Sequence, residues 1–149
     1  MVFNFQSSIQ DKQKDKQIVF LAGSVATDSD NNWRHDIINK WGDEYHFFDP
    51  VNPNHANLND KDMRAHIKWE LDALKSSDYI FLNLLPTSTS PISLVEMGLY
   101  VSTKKLIVIC PTEFYKWRYI DVLCKEYNTP IFQDFGEALN GNRPIDILT

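Results

Sequence analysis

Two glutamates carry the chemistry that the sequence points to first. Glu96 stands among apolar neighbours, Leu94-Val95-Glu96-Met97, and is followed by Gly98. Upstream, Ser90-Pro91 reads as a helix start, with Ser90 as the cap and Pro91 at the first position, where its missing N–H costs nothing. A carboxylate close to that N-terminus is expected to stay ionised, favoured by the partial positive charge and the unpaired N–H groups there. Such a group serves as a nucleophile or an electrostatic stabiliser rather than as an acid. Ser93-x-x-Glu96 is also a capping-box pattern, the commoner use of this spacing. Glu70 falls on a helix read over residues 60–76, three residues after Ile67 and one before Leu71. It is therefore expected at the edge of an apolar stripe, near the top of a sheet. The plainer alternative is a solvated glutamate paired with a lysine.

The elements that position these groups alternate along the chain. Ile18-Val19-Phe20-Leu21-Ala22 is a short apolar run rich in β-branched residues, a buried strand ended by Gly23-Ser24. Residues 31–41 suit a helix, with Trp33, Ile37, Ile38 and Trp41 on one side. Residues 45–48 read as a strand stopped by Asp49-Pro50, and 49–59, rich in Asn and Pro, as a loop long enough to bind something. On the helix at 60–76, Met63, Ile67, Leu71 and Leu74 form the expected buried stripe. Strands follow at 79–85 and 106–110, separated by a helix from Pro91 to about Ser102. A helix at 115–126 and a short edge strand at 129–132 complete the pattern. Residues 1–16, polar and mixed in charge, read as a loose N-terminal arm, and 17–149 as one domain.

Continuous apolar strands separated by helices argue for a parallel sheet covered on both faces. The expected fold is α/β, a small, doubly wound, mostly parallel five-stranded sheet of flavodoxin or Rossmann type. Ligands in such folds sit outside the carboxyl ends of the strands. The candidates there are Gly23-Ser24, Asp49 with Asn52, Pro86 through Ser90, and Cys110 through Glu113, joined by Ser93 and Glu96. Asp78 opens its strand at the opposite end and reads as a turn residue. His46 and His66 read as surface or packing histidines, and Phe114, Tyr115, Trp117 and Tyr119 as helix packing, with a ring stacked on a planar ligand as the alternative.

Composition excludes several classes. The chain has 149 residues, 43% hydrophobic and 23% charged, which fits one globular domain. Fifteen Lys and Arg against twenty Asp and Glu give a net charge of −5, contrary to the basic face of a nucleic-acid polymer binder. No apolar stretch approaches a membrane span, and Met1 through Gln6 lack a signal-peptide layout. Two cysteines suit neither a disulfide framework nor a zinc cluster, and a cytoplasmic setting is the simplest expectation. Five glycines build neither a Walker A loop nor a dinucleotide fingerprint.

In order and spacing, the chain resembles the nucleoside 2-deoxyribosyltransferase family. The pieces are Ile18 through Ser24, Trp33-Arg34, Asp49-Pro50, Ile67-Lys68-Trp69-Glu70, Ser77-Asp78-Tyr79-Ile80, Ser90 through Gly98 and Val108-Ile109-Cys110-Pro111. Glu70 precedes Asp78 by eight residues and Glu96 follows it by eighteen. The resemblance implies a covalent mechanism in which Glu96 attacks C1′ of a 2′-deoxynucleoside and expels the base. A second base or water then takes the sugar with retention. Glu70 would assist protonation of the departing base, and Gly23, Ser24, Asp49, Asn52, Ser90 and Ser93 would line the pocket.

Many members carry an acid six residues before the nucleophile and an Asp-x-Gly-Thr turn; this chain has Ser90, Ile92 and Ser93 there. Where members borrow a polar residue from a neighbouring subunit, Trp117-Arg118-Tyr119-Ile120 stands. Arg118 could instead meet a 5′-phosphate, which would suit a deoxynucleoside 5′-monophosphate N-glycosidase. A non-catalytic nucleotide-binding or signalling module is the alternative from another class. The resemblance implies a homo-oligomer, no cofactor and no metal. A pocket rich in carboxylates and poor in cations is expected to prefer nucleosides or monophosphates to triphosphates.

Overall fold

The computed structural model describes residues 1–7, 9, 15–25, 32–140 and 143–148. Among the described residues, six parallel strands form one sheet: β1 (Val2–Phe3), β2 (Ile18–Gly23), β3 (His46–Phe48), β4 (Tyr79–Asn83), β5 (Leu106–Ile109) and β6 (Ile131–Phe132). Their spatial order is β1-β3-β2-β4-β5-β6. The helices are α1 (Trp33–Trp41), α2 (Asp60–Ser76), α3 (Pro91–Tyr100), α4 (Trp117–Glu126), α5 (Phe135–Leu139) and α6 (Pro144–Leu148).

Alternate strand residues feed two cores, as the period of two requires. Phe20, Ala22, Leu82 and Val108 pack against Trp69, Ala73 and Leu74 of α2, Met97 of α3, and Ile120 and Cys124 of α4. Val19, Leu21, Phe81 and Ile107 pack on the opposite face against Trp33, Ile37 and Trp41 of α1, Ala138 and Leu139 of α5, and Ile147 and Leu148 of α6. This is the expected doubly wound α/β sandwich. Among the described residues, no helix is long and apolar enough to cross a membrane.

Three expectations need correction. The sheet has six strands rather than five, because Val2 and Phe3 pair with Phe47 and Phe48 along the β3 edge. Phe3 is buried, its ring 5.9 Å from that of Phe48, and the Met1 amino group lies 3.1 Å from His46 Nδ1. The segment expected as a loose arm therefore opens with a paired strand that covers an otherwise open edge. Two residues are too few to show alternation. Residues 8 and 10–14 of that segment lie outside the described residues. So does Asn31, the expected start of α1; that helix begins at Trp33, with Asn32 Oδ1 accepting from the His35 N–H at 3.3 Å.

The second correction concerns α2, whose bounds are as expected but whose buried face is not. His66, Trp69, Ala73 and Leu74 are buried, while Ile67 and Leu71 are each 46% exposed. Trp69 is the largest apolar group on the helix and decides the rotation. Its ring meets Phe48 edge-on at 5.9 Å, and its indole N–H donates to the Ser7 carbonyl at 2.9 Å. Residues 66, 69 and 73 then follow the i, i+3, i+7 spacing of a core-facing stripe. Third, Phe114 packs in the core and Trp117 against it, whereas Tyr119 is exposed and Tyr115, also exposed, touches only the Phe114 ring at 5.0 Å and the Thr89 carbonyl at 3.2 Å.

The chain leaves β2 for β3 on one side, and β4 lies on the other, so the strand order reverses between β2 and β4. Their pairing ends at Gly23 and Asn83. A crevice outside the carboxyl ends of the strands at such a switch point is the usual ligand site of this architecture.

Candidate active site

Gly23 shapes the floor of the crevice. Its φ is +122°, and a Cβ placed on it would lie 2.0 Å from the Asn83 carbonyl oxygen. Only glycine permits both the positive φ and this approach. The close contact lets the Ser24 N–H donate to the Asn83 carbonyl at 2.9 Å. The turn that follows is clamped by Arg34 of α1. Its Nε donates to the Leu21 carbonyl at 3.1 Å, Nη1 to Ser24 at 3.0 Å and Nη2 to Gly23 at 3.1 Å. The Trp33 indole N–H also reaches the Ser24 carbonyl, at 3.0 Å. Asp49, just past β3, sits 3.9 Å from Arg34 Nε.

Ser24 and Ser90 meet across the β2–β4 junction. Their hydroxyl oxygens are 2.6 Å apart, and Ser90 continues to the Ser88 hydroxyl at 2.8 Å. The Leu85 N–H donates to Ser24 Oγ at 2.9 Å. Ser90 occupies the expected N-cap position of α3, with Pro91 behind it, but its side chain makes no capping bond. Its hydroxyl is spent on the serine chain instead. Its backbone is left-handed, φ 46° and ψ 53°, a costly conformation for a residue with a Cβ. Where members of the resembled family carry an acid, this chain has a row of hydroxyls.

The capping-box alternative for Ser93 and Glu96 is also set aside. With α3 starting at Pro91, Ser93 is already inside the first turn and Glu96 one turn beyond it. Both are buried. That depth corrects the expectation that Glu96 is held ionised by the helix end, since the dipole acts mainly within the first turn. Burial raises the Glu96 carboxyl to about 7, the charge of Glu70 pushes in the same direction, and Arg34 opposes both. Glu70 is also raised to about 7 by burial, again against Arg34. Arg34 itself is lowered to about 10 by its burial, opposed by Asp49, Glu96 and Glu70. Glu70 is not the solvated, lysine-paired group of the plainer reading. Its Oε1 lies 3.3 Å from the buried His66 Nε2. Glu96 Oε2 is buried with no hydrogen-bond partner among the described residues.

Gly23, Ser24, Asp49, Glu70, Ser90 and Glu96 thus converge around Arg34. Asn52 reaches the group through its loop. Its carbonyl accepts from the His55 N–H at 3.1 Å, and the His55 ring lies 5.6 Å from that of His66. The Asn52 side chain is buried, and its Nδ2 has no hydrogen-bond partner among the described residues. Arg118 lies apart from these contacts, exposed on α4 in a shallow cleft with Tyr115, Lys116, Tyr119 and Val122. Residue-by-residue reading missed Arg34 as the centre of the group and His66 as a neighbour of Glu70. A signal existed for each: Arg34, Ile37 and Trp41, like His66, Trp69 and Ala73, share the i, i+3, i+7 spacing of a buried face.

Comparison with curated proteins gave no match. The family described as nucleoside 2-deoxyribosyltransferase like matches residues 16–114. That span runs from the strand before Gly23 through both glutamates to the end of β5 and the turn beyond it. By that match over most of its length, the chain belongs to the nucleoside 2-deoxyribosyltransferase-like family.

Proposed function

We propose that this protein cleaves and re-forms the N-glycosidic bond of 2′-deoxynucleosides, with Glu96 as nucleophile and Glu70 as general acid and base. The observation that carries this reading is a pair of carboxyls, Glu96 buried and Glu70 half-buried, both raised to about 7 and each sensing the same arginine. Like charges in one buried site resist ionising together, so near neutrality the pair holds one proton between two carboxyls. That is the charge state a retaining glycosyl transfer starts from.

In the first step a Glu96 carboxylate oxygen bonds to C1′ as the C1′–N bond breaks, and Glu70 gives its proton to the departing nitrogen. In the second, a free base or water attacks C1′, the ester bond to Glu96 breaks, and Glu70 recovers a proton from the attacking group. Arg34 holds Gly23 and Ser24 in place and offsets the carboxylate charge. Its guanidinium is committed to backbone carbonyls, which favours a nucleoside over a 5′-monophosphate as substrate. Incubation with a 2′-deoxynucleoside and a different free base, read by chromatography, tests the reading. Base exchange is expected. Free base without exchange would mark a hydrolase, and no reaction would point to a binding module and overturn the proposal.

The outer surface of α3 supports a homo-oligomer. Ile92, Val95 and Leu99 are 62%, 60% and 55% exposed, Gly98 stands open beside them, and the helix bears no charged residue on that side. Ile67 and Leu71 of α2, and Tyr119 and Val122 of α4, extend exposed apolar groups on the flanking helices of the same layer. A second copy meeting this face about a two-fold axis would bury like against like. Sedimentation at micromolar concentration is expected to show a dimer or larger species, and Val95→Lys to yield a 17.4 kDa monomer. A monomeric native protein would contradict this.

A further inference from the structure

The segment that begins with β1 is tied to the rim of the candidate site at three places. Where β1 ends, the Phe3 carbonyl accepts from the Asp49 N–H at 2.9 Å. A turn then carries the chain toward α2, closed by the Ser7 N–H on the Asn4 carbonyl at 2.8 Å and the Gln6 N–H on Asn4 Oδ1 at 2.9 Å. On α2 the Trp69 indole N–H donates to the Ser7 carbonyl at 2.9 Å, and the Phe5 ring meets that of His66 edge-on at 5.7 Å. Phe5 and Ile9 are half-buried against the core layer that contains α2, while Val2, Asn4 and Gln6 face solvent. The segment precedes residues 16–114, the span shared with the family.

The two α2 residues it covers stand beside Glu70. Trp69 precedes Glu70 in the chain, and His66 lies one turn away, its Nε2 3.3 Å from Glu70 Oε1. The His66 side chain is only 4% exposed. Two rings from outside α2 reach it, Phe5 from this segment and His55 from the loop after β3, and His55 is itself exposed. Phe5 is thus an apolar cover on one flank of the group that exchanges protons with the acceptor. A reactive ester survives to meet its intended acceptor when water is kept from the site.

Resting on the glycosyl-transfer reading above, we propose that this N-terminal strap, seated through Phe5, determines the acceptor: it shuts bulk water away from the Glu70 side of the site, so that the sugar on Glu96 passes to a base instead of being hydrolysed. With either acceptor the C1′–O bond to Glu96 breaks and Glu70 takes the acceptor's proton. A base forms a new C1′–N bond, whereas water forms a C1′–O bond and releases free 2-deoxyribose. The strap changes access alone and takes no part in either bond.

The test uses the full chain with a 2′-deoxynucleoside and a second free base, measuring exchanged nucleoside against free 2-deoxyribose. Phe5→Ala is expected to raise the share of free sugar roughly tenfold, and Phe5→Leu, which keeps an apolar cover, to stay near wild type. Coverage is read without turnover by brief treatment with diethyl pyrocarbonate, which modifies accessible neutral imidazoles, followed by peptide mass spectrometry. Exposed His55 is the internal reference. His66 is expected to resist modification in wild type and Phe5→Leu and to react several-fold faster in Phe5→Ala. Rapid modification of His66 in the wild-type protein, which needs no variant to fold, would overturn the proposal. So would an exposed His66 in Phe5→Ala with an unchanged ratio of exchange to hydrolysis. A wild type that leaves nucleosides intact while His66 stays protected would sink the glycosyl-transfer reading, and the acceptor claim with it, but not the seat of the strap.

Discussion

Replacing Glu96 by glutamine is expected to abolish base exchange while making the protein more stable at alkaline pH. The first effect follows from chemistry: an amide cannot form the glycosyl ester, so turnover should fall by at least about ten-thousandfold, the upper end of what a single positioned proton donor contributes. The second follows from burial. In the folded protein both Glu96 and Glu70 hold their protons to about pH 7, whereas carboxyls of the unfolded chain release them near 4.5. Between those values the folded state binds more protons, so stability falls as pH rises through that window and levels off above it. Glu96→Gln removes one ionisation from the site. Its advantage should be absent below about pH 4.5 and grow to roughly 2–3 kcal/mol by pH 8. Thermal melts across that range check it. A variant less stable than wild type at pH 8, or one retaining turnover, would show that Glu96 serves the fold.

Gly23→Ala should be the most damaging small substitution in the chain. The added methyl would sit 2.0 Å from the Asn83 carbonyl oxygen and 2.7 Å from its nitrogen, both backbone atoms of the neighbouring strand. Strands β2 and β4 are central in the sheet, so neither can yield without disturbing both cores. Together with the positive φ, this should cost about 3 kcal/mol or more and lower Tm by roughly 6–12 °C. Denaturant unfolding would measure it. A loss below about 1 kcal/mol would mean that the β2–β4 junction is softer than its geometry indicates.

Continuous apolar runs announced the central strands, because burial on both faces leaves no room for polar residues. Ile18 through Ala22 and Leu106 through Ile109 were legible for that reason. Val2–Phe3 was not, since a two-residue edge strand depends on the partner edge and not on its own pattern. The bounds of α2 were legible from its flanking polar residues, but its rotation was not. Ile67 and Leu71 look as apolar as a core stripe, and only the fit of Trp69 against Phe48 turns them outward. That same rotation buries His66, which the i, i+4 spacing already sets beside Glu70, so the error in the stripe concealed the depth of the histidine. The convergence of Glu70 and Glu96 could be expected from their places near the sheet's carboxyl end. Their raised pKa values could not, because these arise from burial and, for Glu96, also from the charge of Glu70. Ser90 illustrates the same limit: its type suggests a cap, and only the nearness of Ser24 and Ser88 shows where the hydroxyl goes.

A glycosyl ester on Glu96 is expected to form during the reaction. The most direct measurement is mass spectrometry of the wild-type protein, quenched in acid during turnover of a 2′-deoxynucleoside and then digested. One added deoxyribosyl group is expected on the peptide containing Glu96, absent when free base is supplied in excess before the quench and absent from Glu96→Gln. Turnover without any adduct that persists in Glu96→Gln, or an adduct carried by a different residue, would contradict it.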